Sequence, residues 1–129
     1  MNSSSVLLAI AFSALVLIVV VFQLALAAGM PLGELTWGGR FPGRLPVRMR
    51  IVAIVSAVIL GAFGLIVAIR AGVVLPEWQP LSRVLIWFVV AYCALGVLAN
   101  AVTPSRWERR IWLPVVAVLL VLSTTVALR

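Results

Sequence analysis

A chain of 129 residues that is 65% hydrophobic and 10% charged has almost nothing from which to build a water-facing surface, since soluble domains carry roughly 25% charged residues. Its net charge of +7 rests on arginine, with no lysine and no histidine. Those arginines lie in short segments between apolar runs, the pattern of positive charge retained on the cytoplasmic side and not of a nucleic-acid face.

The first predicted element is the apolar run from Val6 to Ala28, broken only by Ser13 and Gln23. Ala25-Leu26-Ala27 resembles a signal-peptidase site. The lead from Met1 to Ser5 carries no basic residue, however, and the run exceeds the 7–15 residues of a signal-peptide core. The run is therefore expected to be a transmembrane helix over residues 6–28. Apolar stretches of about 20 residues cross the roughly 30 Å hydrocarbon core as helices.

A polar loop over residues 29–50 follows. It holds five of the nine glycines, three of the seven prolines and four of the ten arginines. Prolines at this density forbid a regular amphipathic helix, so turns and extended segments are expected, with Gly38 and Gly39 free to adopt positive φ. Arg40-Phe41-Pro42-Gly43 and Arg44-Leu45-Pro46-Val47 form a rough tandem, with Arg48 continuing the spacing and Arg50 ending the loop. Two readings stand. Backbone N–H groups and arginine forks can hold a phosphate or an anionic lipid headgroup, or the loop is an interfacial anchor built on Trp37, Phe41 and its arginines.

This loop carries a resemblance. Ala28-Gly29-Met30-Pro31-Leu32-Gly33, Trp37-Gly38-Gly39, Pro42-Gly43 and Leu45-Pro46 leading into Arg50-Ile51 resemble a group of small four-span bacterial membrane proteins of unknown function. The resemblance covers about a quarter of the chain. It implies the architecture and brings no activity with it. Abundant arginine, alanine and valine without lysine point to a high-GC bacterial source.

The second span is read over residues 51–70. Its small residues recur in fours at Ala53, Ala57 and Gly61, then at Gly64 and Ala68, a spacing that lets helix backbones approach closely in lipid. That series can be a seam for a second copy or a larger membrane partner, or it can pack within the same bundle. After a short loop, Ser82 is expected to cap a third span over residues 84–102, which Thr103-Pro104 ends. Ser105 to Arg110 is read as a tight basic turn. The fourth span covers residues 111–128, with Pro114 in its first turn. The five tryptophans, Trp37, Trp78, Trp87, Trp107 and Trp112, lie in loops or near span ends, where indoles favour the headgroup boundary.

The expected fold is thus all-α: one integral membrane domain over residues 1–129, with four transmembrane helices in an up-down bundle. The first and third loops carry seven arginines against three on the other side. That asymmetry places those loops in the cytoplasm and both termini outside a cell membrane.

Enzyme chemistry is poorly provided for. There is no histidine or aspartate, and Glu34, Glu77 and Glu108 are read as lying in three different loops. Paired general acids and bases or clustered metal ligands are lacking. Cys93 has no base beside it in sequence and no Cys-x-x-Cys partner. No cofactor or metal is expected. The small multidrug exporters match in length and span number, but their first-helix glutamate is absent here.

What remains within the spans is polar and uncharged. Gln23, Ser56, Tyr92 and Asn100 are expected toward the cytoplasmic half, beneath the first loop, with Tyr92, Gly96 and Asn100 on one helix face. They are either a polar cluster or separate interhelical hydrogen bonds. The leading functional expectation is a non-enzymatic protein that packs with itself or a membrane partner while its arginine loop meets anionic headgroups. The alternative is a small channel or carrier for an anionic or amphipathic ligand. A carrier requires a continuous cavity that reaches Tyr92 and Asn100 from the cytoplasmic side.

Overall fold

The computed structural model describes residues 3–129 and is helical throughout its regular structure. Among the described residues, four helices are long and apolar enough to cross a membrane: α1 (Ser3–Ala27), α2 (Val47–Arg70), α3 (Gln79–Val102) and α4 (Arg106–Ala127). The most extensive packing is α1 on α2 and α3 on α4.

On α1, Ser5, Ala9, Phe12 and Val16 are buried, while Leu7, Ile10, Leu17, Ile18 and Val21 are exposed. The buried set recurs every three to four residues, as one helix face must. An outer surface this apolar is costly in water and natural in lipid. The main core joins that face to Val67, Ile86, Val89, Leu119 and Val126. A smaller core ties the loop to the bundle through Leu26, Leu45 and Ala53.

Both α1 and α2 stop at a glycine. Gly29 (φ +93°) and Gly72 (φ +82°) are left-handed. Met30 N–H reaches Ala25 C=O and Gly29 N–H reaches Leu26 C=O, with the matching pair Val73 to Ala68 and Gly72 to Ile69. These are paired Schellman caps, which glycine forms without a Cβ clash.

α1 is already helical at Ser3, before the expected residue 6, and the starts of α2, α3 and α4 fall four or five residues early for reasons of capping and proline chemistry. α2 begins at Val47 because Pro46 is extended and its carbonyl accepts the Met49 and Arg50 N–H groups. Arg48 and Arg50 therefore sit in its first turn. Positive charge there opposes the helix dipole, but Arg50 Nε donates to Ala27 C=O at 2.8 Å, the favourable carboxyl end of α1.

α3 starts at Gln79 with Pro80 in its first turn, where a missing N–H costs nothing. Ser82 is accordingly not a cap. It lies inside the helix, buried, and its hydroxyl donates to Gln79 C=O.

The expected basic turn is the first turn of α4. Ser105 caps it by accepting the Glu108 N–H at 3.2 Å. Glu108 is thus a helix residue, and Pro114 lies well inside α4, where it removes the bond to Arg110 C=O.

Hydrogen bonds sort the helix ends into two groups. Arg129 donates to Ser4 and Ser5, Arg70 to Arg129 C=O, and Gln79 to Ile69 C=O. At the opposite end lie Ala27, Arg50, Ser105 and the first loop.

Candidate functional site: a cavity beneath the first loop

The loop is shaped by its glycines before it shapes anything else. Gly33 N–H donates to Gly43 C=O at 2.9 Å, folding the loop on itself. A Cβ at Gly33 would fall 1.8 Å from Phe41 C=O, so only glycine fits. Beyond this closure, Trp37, Gly38 and Gly39 have φ of 52°, 66° and 78°. A left-handed conformation is ordinary for glycine and costs a bulky residue about 1–3 kcal/mol, a strain typical of binding sites.

Three bonds hold the loop against the start of α4. Ser105 Oγ donates to Glu34 C=O at 3.0 Å, and Trp112 Nε1 donates to Leu35 C=O at 2.9 Å. Gly38 N–H donates to Glu108 Oε2 at 3.1 Å. The third is unusual in origin. Ser105-Arg106-Trp107-Glu108 has capping-box spacing, whose glutamate ordinarily returns to the N-cap N–H. Here the Ser105 N–H is taken by Thr103 Oγ1, and the carboxylate turns to the loop instead. A single loop N–H, that of Gly38, thus holds a carboxylate of the chain itself.

Beneath the loop lies a cavity of about 870 Å³, within the roughly 300–1,000 Å³ range of small-molecule sites. Its deeper walls are Phe12 and Val16 of α1, Leu60 and Phe63 of α2, and Leu119 of α4. Gln23, Ser56, Tyr92 and Asn100 all line it, as do Trp37, Gly38 and Arg40 from the loop. Its wall also contains Tyr92 and Leu95, 45% and 66% exposed, so the cavity opens sideways along α3.

Individual polar groups differ in freedom. Asn100 Nδ2 donates back to Gly96 C=O at 2.7 Å within α3. The Tyr92 ring meets Phe63 edge-on, with centroids 4.9 Å apart. At the loop end, Phe22 and Trp112 rings approach to 4.6 Å. The cavity is apolar in depth and polar near the loop.

The remaining predicted site residues disperse. Arg44 lies over Gly29, Arg48 is exposed, and Arg50 serves the end of α1. These three and Gly39 are outside the cavity wall, so the four loop arginines do not converge on one anion. Along α2, Ala53 and Ala57 are buried inside the chain, and Gly64 faces Ser13 and Val16 of α1. Ala68 is half-buried, while Gly61 is exposed with nothing within 4 Å of a Cβ.

Glu108, Thr103, Phe22 and the indole of Trp112 are wall residues that sequence reading did not bring to the site. The Ser-x-x-Glu spacing was the available signal: it marks a helix start and places Glu108 in the first turn of α4. No protein-family model, curated protein or solved structure matches the chain.

Proposed function

We propose that this is a multi-pass protein of the cell membrane that holds an amphipathic ligand in the cavity beneath its first loop, as a binding protein or carrier and not as an enzyme. Its helices cross up and down, with the first and third loops cytoplasmic and both termini outside, as the arginine asymmetry favours. The carrying observation is a cavity of about 870 Å³ that is apolar in depth, polar beneath the loop and open sideways along α3. A ligand with a tail and a polar head can enter such a site from the bilayer without leaving lipid.

The packing reading has less support. Ala53 and Ala57 are used inside the chain, and Gly61 alone is a poor seam. The exposed Arg44 and Arg48 remain suited to anionic headgroups at the cytoplasmic surface.

Native mass spectrometry of the protein gently extracted from its own membrane tests the reading. One bound amphiphile per chain is expected, and it should disappear in Ala99→Trp, which adds bulk at the wall beside Asn100. Bare chains in both proteins, or the same adducts in both, would contradict it.

A further inference from the structure

Resting on the ligand reading above, we infer that the head group held beneath the loop carries an ammonium, with Glu108 as its counter-charge. Glu108 is 8% exposed and forms part of the cavity wall. Burying a carboxylate away from water is expensive unless it is hydrogen-bonded and paired. The bond from Gly38 N–H engages Oε2 alone, whereas an ionised carboxylate offers about four acceptor sites. Acceptor capacity is therefore left at the head-group end of the cavity for a donor that brings positive charge.

The surroundings favour that charge. Trp37, Trp112 and Phe22 line the same end, and aromatic faces attract ammonium groups by about 0.5–2 kcal/mol. Gln23 and Ser56 add neutral acceptors. Arg40 is the one arginine in the wall, and it is exposed whereas Glu108 is buried. The less exposed charge weighs more in recognition, because electrostatic interactions strengthen as water is excluded.

The strain in the loop serves the same arrangement. Trp37 is left-handed, which aligns Gly38 N–H to hold the Glu108 carboxylate. One structural device thus fixes the carboxylate and keeps Trp37 in the same cavity wall.

The test uses the full chain in nanodiscs of an uncharged, sugar-headed lipid, with empty discs subtracted. Radiolabelled dodecyltrimethylammonium, dodecyl sulfate and dodecyl maltoside share one tail length and differ in head-group charge. The ammonium compound should bind at least about 10-fold more tightly than the other two, as one charge-assisted contact provides. Glu108→Gln retains an acceptor for Gly38 N–H and should erase that preference. Arg48→Gln, outside the cavity wall, should leave the preference intact.

Sulfate binding as tightly as ammonium in the unaltered protein overturns the inference without any variant. So does a preference that survives Glu108→Gln. Both outcomes leave the ligand reading standing. If none of the three binds above empty discs, the ligand reading falls and takes the inference with it.

Discussion

At the residue scale, Gly33 and Glu108 decide the loop. Gly33→Ala would drive a methyl group into Phe41 C=O at 1.8 Å. Loss of roughly 3 kcal/mol or more is expected, at the upper end for single substitutions. Gly43→Ala is the matched comparison. Its Cβ would meet nothing within 4 Å, although φ is +77°, so only the left-handed penalty of about 1–2 kcal/mol applies. Thermal melts in detergent should rank Gly33→Ala well below Gly43→Ala; equal melts would show that the loop does not close through Gly33. Ser105→Ala removes both the cap on α4 and the bond to Glu34 C=O. It should cost about 1–2 kcal/mol by the same measurement.

At the element scale, the helices were legible wherever termination rested on glycine or on proline following a helix. The loop opening at Gly29 and the pair Thr103-Pro104 mark ends that the structure keeps, and α2 ends at Arg70 as its apolar run implied. Starts were less legible, because a proline reads first as a barrier. Pro46 and Pro80 instead open their helices, and Ser105 caps α4, which begins at Arg106, five residues before the expected start at residue 111. Arg106, Arg109 and Arg110 made that turn look like loop, since their charge masked a helical start. The displaced start is also why Glu108 escaped notice: placed in a loop, it has no fixed direction, whereas in the first turn of α4 it meets Gly38.

The small-residue series on α2 makes a separate prediction. Gly61 is exposed and unobstructed within a helix, where alanine is favoured over glycine by roughly 0.5–1 kcal/mol. Gly61→Ala should therefore leave stability unchanged or raised, with no change in oligomeric state by sedimentation. Dissociation of an oligomer on this substitution would return Gly61 to a packing seam.

At the scale of the whole molecule, the apolar runs were legible because spanning length and apolarity depend on local composition alone. Four helices of spanning length follow from that composition. The cavity was only half legible. Helical spacing grouped Tyr92, Gly96 and Asn100 on one face and suggested that Gln23 and Ser56 lay at a similar level, and all five line the cavity. Its apolar walls, Phe12, Val16 and Leu60 among them, look like every other lipid-compatible residue in the chain. Nothing local separates a side chain facing a cavity from one facing lipid. Orientation, in contrast, is directly testable: an alkaline-phosphatase fusion at the carboxyl end should be active, and an inactive, stable fusion would reverse the assigned topology.

The central claim is that the space beneath the loop selects a ligand rather than admitting bulk lipid. Photo-crosslinking from within the membrane tests it most directly, with p-benzoylphenylalanine replacing Tyr92 at the cavity wall and, separately, Val58 on the exposed face of α2. One dominant adduct mass is expected from position 92 and a mixture reflecting bulk lipid from position 58. The same unselective mixture at both positions would contradict it.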